Sequence, residues 1–93
     1  MSANGPLRRT VRVANPNGLH MRPATLFAQA ARGYRSVVTV FNGEKKADGK
    51  SSLDLLLLIA EPGVELVLEV EGDDEAEAID PLAELLGSPG ENY

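Results

Sequence analysis

The chain has 93 residues, enough for one domain with one hydrophobic core. Its 9 basic and 14 acidic residues give a net charge of -5, which argues against a protein that coats nucleic acid or an anionic membrane. Cysteine is absent and histidine occurs once, so disulfides and thiolate chemistry are excluded, and neither a metal nor a cofactor is expected. No apolar run approaches the ~20 residues of a membrane span, and the default expectation is a cytoplasmic protein without a membrane partner.

The first half of the chain predicts a strand, a helix and a hairpin. Alternation around Val11 and Val13 predicts a half-buried strand over residues 7–14. A helix that ends at Gly33 is predicted by apolar residues at helical spacing, namely Ala24, Phe27, Ala28 and Ala31. The β-branched run 36–41 predicts a second strand, and the Asn42-Gly43 pair predicts a tight turn into a short strand near residues 44–48.

The second half predicts a helix, a strand and a final helix. Ser51 or Ser52 is expected to cap a helix that runs to Leu58 or Ala60. Alternation over residues 64–71 predicts a strand with one face in water. Pro81 is expected to kink the last helix or to split off its first turn. The order β-α-β-β-α-β-α favours an α+β domain with helices on one face of an antiparallel sheet.

Charge is distributed unevenly along the chain. Residues 1–46 carry eight basic residues and one acidic residue, whereas residues 47–93 carry one basic residue and thirteen acidic residues. Either the two halves pair in space or the molecule has two electrostatic faces.

The one histidine, His20, lies where a loop is expected to enter the first helix. Gly18 allows a tight turn before it, and Pro23 is tolerated in a first helical turn. A helix N-terminus presents free backbone N–H groups to an anion, and Arg22 adds a guanidinium that matches phosphate oxygens.

A lone histidine is more often an ordinary polar residue than a reactive one. The predicted helix N-terminus and the nearby Arg22 favour a reactive role for His20. Neutral imidazole offers a nucleophilic nitrogen near pH 7, and phosphoryl transfer mainly requires positioning and charge stabilisation. The sequence contains no Ser-His-Asp set, paired-carboxylate cleft or Walker loop. It therefore predicts a protein that accepts a phosphoryl group on His20 and passes it on.

The run from Asn17 to Ala24, with sequence NGLHMRPA, resembles the phosphohistidine segment of the HPr family, the histidine-containing phosphocarriers of the phosphoenolpyruvate:sugar phosphotransferase system. The resemblance extends over about residues 7–86. It implies a single HPr-like domain over residues 1–93. It also implies an open-faced β-sandwich, in which three helices cover one face of a four-stranded antiparallel sheet. Residues 1–6 and 87–93 are rich in Gly, Pro, Ser and Asn and are expected to be loose tails.

The resemblance also implies roles for particular residues. His20 matches the histidine that phospho-enzyme I phosphorylates on Nδ1 and that passes the group to EIIA proteins. Arg22 matches the arginine beside the phosphate, and Asn17, Met21 and Pro23 fall in the segment that meets partners. Such a protein is a monomeric carrier that other enzymes use as a substrate, not itself an enzyme.

Ser51 matches the position that an HPr kinase/phosphorylase modifies in many bacteria. A structural role as a helix N-cap is the alternative for Ser51 or for Ser52. Asp54, three residues further on, departs from the family pattern, which often has glycine or a basic residue at this position. A like charge one turn away opposes a phosphoserine dianion, which argues against recognition by the kinase.

The leucines of the second helix form two lines, of which one must face the sheet. We expect Leu55 and Leu58 in the core, while Leu53 and Leu56 lean toward His20 and form an apolar docking patch with Met21. In the alternative, all four leucines are core residues.

Two other functions compete with the phosphocarrier. One is an HPr-like regulatory protein that is controlled at Ser51 or serves a nitrogen or regulatory phosphorelay. The other is a nucleic-acid-binding sheet that uses the basic edge of the first strand, formed by Arg8, Arg9 and Arg12. The chain has only four aromatic residues, which disfavours base stacking and hence a nucleic-acid partner.

Overall fold

The computed structural model describes residues 5–88, which follow the predicted order of elements. The strands are β1 (Leu7–Arg12), β2 (Val37–Asn42), β3 (Lys45–Asp48) and β4 (Glu65–Glu71), and the helices are α1 (Met21–Arg32), α2 (Ser52–Leu56) and α3 (Glu75–Leu86). Most of the two predicted tails, residues 1–4 and 89–93, lies outside the described residues.

The four strands form one antiparallel sheet in the order β1-β4-β2-β3. Because alternate residues of a strand point to opposite faces, Leu66, Leu68 and Val70 of β4 share one face, and all three are buried. On that face, α3 contacts β1 and β4, α2 contacts β3, and α1 packs against α2 and α3. The α+β prediction with helices on one face of the sheet is confirmed.

The helices contribute the predicted apolar residues to the core. The α1 stripe is buried, with Ala24 and Ala28 at 0% and Phe27 at 1% exposure. Leu55 and Leu58 are also buried, as expected. The predicted C-terminal stop of α1 at Gly33 is confirmed.

One prediction about helices is wrong. Helix α2 ends at Leu56 rather than at Leu58 or Ala60, because the chain turns there and Ile59 adopts a left-handed φ of 51°. Of the two effects predicted for Pro81, the loss of the first turn does not occur, since α3 runs from Glu75 to Leu86 through Pro81. Pro81 is exposed, so water can reach the Glu77 carbonyl that would otherwise accept the missing N–H.

Opposite charges from the two halves of the chain pair in space. Each of the three arginines of β1 lies against an acid from the second half: Arg8–Glu69 at 2.8 Å, Arg9–Asp80 at 2.8 Å and Arg12–Glu65 at 3.4 Å. Such exposed pairs contribute little to stability. They do neutralise the basic edge on which the nucleic-acid hypothesis depends.

Asp74 ties the start of α3 to the start of β2. Its carboxylate accepts hydrogen bonds from the hydroxyl and N–H of the buried Ser36 and from the N–H of Arg35. The Ser36 hydroxyl and then the Arg35 N–H lower the pKa of the Asp74 carboxyl below its ordinary 3.8.

Asp74→Ala is expected to lower the free energy of unfolding at neutral pH. Since the folded carboxyl has the lower pKa, its contribution to stability is present above the unfolded value and is lost as the pH falls through the folded value. Urea unfolding of wild type and variant at pH 7 and near pH 3 measures this. The difference in free energy of unfolding between wild type and Asp74→Ala should be smaller near pH 3 than at pH 7. Glu84→Ala, an exposed position of α3, is the control, and an equal effect of both substitutions would contradict the assignment.

Candidate functional site at the start of helix α1

His20 is the N-cap residue of α1, as the sequence predicts. Its backbone is extended, with φ of -91° and ψ of -172°, and its carbonyl accepts the N–H of Ala24 at 3.0 Å. The imidazole does not cap its own helix. The first N–H groups of α1 precede the intrahelical bonds and are therefore available to an anion beside His20.

The loop before His20 is fastened to the segment that follows α2. The N–H of Leu19 donates to the carbonyl of Ala60 at 2.9 Å, and Gly18 lies so close that an added Cβ would be 2.5 Å from the same oxygen. Gly18 also has a φ of +72°, which favours glycine. This tight approach fixes the direction from which the chain enters α1.

His20 lies in a shallow, open depression on the protein surface. Its other lining residues are Met21, Arg22, Thr25, Leu26 and Gln29. Arg22 is exposed, and in the described part of the chain it is the one charged residue of this lining. The depression is therefore accessible to a large partner and carries a cation for an incoming phosphoryl group.

The residues that the sequence assigns to partner docking differ in exposure. Met21 and Leu53 are both 66% exposed, Asn17 is exposed, and Leu56 is half-buried against the core. The alternative in which all four leucines are core residues is wrong, because Leu53 is exposed. Pro23 is buried in the first turn of α1, so its side chain is not part of the exposed surface.

Two further apolar side chains are exposed near the end of α2, and helical periodicity does not indicate them. Leu57 and Ile59 are both 64% exposed. Ile59 is also strained, because a branched side chain at Cβ disfavours the left-handed backbone that it adopts. Ile59 directly precedes Ala60, whose carbonyl accepts the N–H of Leu19 in the loop before His20.

Ile59→Gly is expected to stabilise the protein by about 1 kcal/mol, because glycine adopts a positive φ without the steric cost. Ile59 is mostly exposed, so little buried area is lost. Chemical denaturation measures the change, and Leu57→Gly is the control at a similarly exposed position with a φ of -71°. If Ile59→Gly lost as much stability as Leu57→Gly, the claim that the backbone of Ile59 is strained would be contradicted.

Ser51 caps α2, and its side-chain oxygen accepts the N–H of Asp54 at 3.2 Å. The carboxylate of Asp54 accepts the N–H of Asp48 at 3.1 Å. The predicted structural role of a serine cap is therefore confirmed for Ser51.

Comparisons with known proteins agree on one family. The family model described as "PTS HPr component phosphorylation site" matches residues 7–88. The phosphocarrier protein HPr of Neisseria meningitidis serogroup A is 36% identical over 80 residues, which cover 86% of this chain and 90% of that protein. The HPr-like protein Crh of Bacillus subtilis is 38% identical over 77 residues, which cover 83% and 91%.

A solved structure supports the same assignment. The crystal structure of HPr-C-His from Thermoanaerobacter tengcongensis matches with a TM-score of 0.84 and 39% sequence identity, covering 94% of this chain and 99% of that one. The chain therefore belongs to the HPr family of the phosphotransferase system, whose members are phosphocarriers rather than catalysts. Among the described residues, no helix is long and apolar enough to cross a membrane.

Proposed function

We propose that this protein accepts a phosphoryl group from phospho-enzyme I on His20 and transfers it to EIIA proteins. The observation that carries the proposal is the position of His20 at the N-terminus of α1, in an open depression shared with Arg22. Helix N–H groups and a guanidinium are the donors that a phosphoryl group requires. An exposed site suits a carrier, because two different partners must reach the same nitrogen in turn.

The chemistry requires few protein groups. A ring nitrogen of His20 forms a bond to phosphorus while the bond between phosphorus and the donor breaks, leaving its electron pair on the donor. The reverse sequence at EIIA returns the electron pair to His20. Arg22 and the first N–H groups of α1 stabilise the phosphoryl oxygens during both steps. His20 is regenerated by transfer to a partner, so the protein is a carrier and not an enzyme.

We also propose that partners dock on the surface around His20. Met21 and Leu53 supply exposed apolar area, and Asn17 lies exposed in the loop before the histidine. Leu56 supports this surface from its half-buried position. Enzyme I and EIIA would use the same surface at different times, as a monomeric carrier requires.

A reconstituted relay tests the transfer. Phosphoenolpyruvate, enzyme I, a purified EIIA and the wild-type protein are expected to place phosphate on EIIA, and omission of the protein should abolish this. Leu53→Asp is expected to slow the relay, whereas Leu57→Asp is a control at a comparably exposed leucine outside the predicted patch. Phosphorylation of EIIA at the same rate without the protein would contradict the proposed role.

A regulatory role centred on Ser51 has weaker support. Its hydroxyl already caps α2, and the carboxylate of Asp54 follows within the same turn. A phosphoserine dianion would meet that negative charge. Labelling from ATP on Ser51, with none from phosphoenolpyruvate, would favour regulation by an HPr kinase/phosphorylase. A nitrogen or regulatory phosphorelay would use the same His20 and is distinguished by which EIIA accepts the phosphate.

A further inference from the structure

Ile59 combines an unfavourable backbone conformation with an exposed apolar side chain. Among residues 5–88 it is the one residue other than glycine with a positive φ, at 51°. Its side chain is 64% exposed, whereas its neighbours Leu58 and Ala60 are buried, at 1% and 4% exposure. The chain therefore directs both neighbours inward and presents Ile59 to water.

The backbone on both sides of Ile59 is held by hydrogen bonds. The carbonyl of Leu58 accepts the side-chain amide of Asn42 at 2.9 Å, and the carbonyl of Ala60 accepts the N–H of Leu19 at 2.9 Å. A change of φ at Ile59 would move one carbonyl relative to the other and disturb these contacts. The surrounding structure thus enforces the strained conformation.

Nothing within the described chain offsets the cost of placing isoleucine here. A branched Cβ makes a left-handed backbone unfavourable, and glycine would remove that cost. Burial does not compensate, because most of the side chain remains in water. Leu57 is equally exposed, but its φ of -71° is ordinary, so its exposure carries no strain. Enforced strain of this kind is a mark of functional positions.

We propose that Ile59 is a docking residue that inserts into an apolar hollow on enzyme I. The contact between Ala60 and Leu19 places Ile59 beside the loop that leads into His20, so a protein that reaches His20 also meets this side chain. Covering Ile59 would remove a large apolar surface from water, which the free chain does not achieve. The identity of the partner rests on the proposed function.

Titration of the ¹⁵N-labelled protein with unphosphorylated enzyme I tests the contact without any phosphoryl transfer. The amide signal of Ile59 is expected to shift or broaden on binding. Val37 is the reference position, because it is 67% exposed but alternates with the buried Val38 and so lies on the sheet face away from the helices. Its signal should not change.

Three substitutions at Ile59 separate the side chain from the backbone. Ile59→Ala and Ile59→Gly are both expected to raise the Kd for enzyme I about tenfold, since each removes the apolar side chain. Ile59→Leu should retain most of the affinity, because it keeps the apolar volume. Val37→Ala is the matched control, which removes an equally exposed branched side chain, and it should leave the Kd unchanged.

Stability gives an independent readout on the same proteins. Ile59→Gly is expected to be the more stable protein and yet the weaker binder, whereas a purely structural role would lower stability and affinity together. Wild-type affinity in both Ile59→Ala and Ile59→Gly, equal weakening by Val37→Ala, or an Ile59 amide that does not respond to enzyme I would overturn the proposal. A protein that binds enzyme I through Ile59 but takes up no phosphate would support the docking role and contradict the proposed function.

Discussion

Replacing Gly18 by alanine is expected to destabilise the protein by roughly 3 kcal/mol and to displace the loop that holds His20. Two costs combine at this position. A φ of +72° is unfavourable for alanine, and the new Cβ would lie 2.5 Å from the carbonyl oxygen of Ala60. That carbonyl already accepts the N–H of Leu19, so moving it also disturbs the contact next to His20.

Gly43→Ala separates the two costs. Gly43 has a φ of +61°, but nothing lies within 4 Å of an added Cβ. The expected loss is therefore about 1 kcal/mol, from the backbone conformation alone. Urea unfolding gives both values, and amide spectra report whether residues near His20 shift. If both variants lost the same free energy of unfolding and the amide spectra around His20 did not change, the close approach of Gly18 to Ala60 would not determine the position of His20.

Arg22→Ala is expected to slow phosphoryl transfer from phospho-enzyme I by roughly 100-fold. Arg22 is the charged residue of the depression around His20, and its guanidinium can donate to two phosphoryl oxygens at once. Arg22→Lys should be intermediate, because an ammonium keeps the charge but loses the planar fork. Rapid-quench measurement of phosphate on the protein gives the rates.

Arg32→Ala is the matched control, since it removes the same charge from the last turn of the same helix. Among residues 5–88, the Arg32 side chain donates to the carbonyl of Ala28 at 3.3 Å, within α1. Its loss should change the rate by less than about twofold, because distant exposed charges are screened by salt. Equal slowing by both variants would mean that net charge, rather than the position of Arg22, governs transfer.

The sequence was sufficient for those parts of the site that depend on local chain chemistry. Gly18, His20, Arg22 and Pro23 are close in sequence. A glycine before the helix and a proline in its first turn are typical of a helix N-terminus, so this segment alone predicts where His20 lies. The apolar stripe of α1 likewise follows from helical spacing alone, because one face of a helix must be buried.

Other features depend on contacts between distant parts of the chain. The sequence of residues 15–18 predicts a turn. It gives no sign that the amide of Asn15 is buried and lies next to His20. A branched residue gives no signal for a positive φ, so the early end of α2 before Ile59 was not predicted. The pairing of the β1 arginines required the sheet register, which places Arg8 opposite Glu69.

The most direct test of the central claim is phosphorylation of the purified protein by phosphoenolpyruvate and enzyme I, with the modified residue mapped by mass spectrometry. Wild type is expected to take up acid-labile phosphate on His20, and His20→Ala is expected to take up none while remaining folded. Labelling of His20→Ala to the wild-type level, or acid-stable label on Ser51 of the wild type, would contradict phosphoryl transfer through His20.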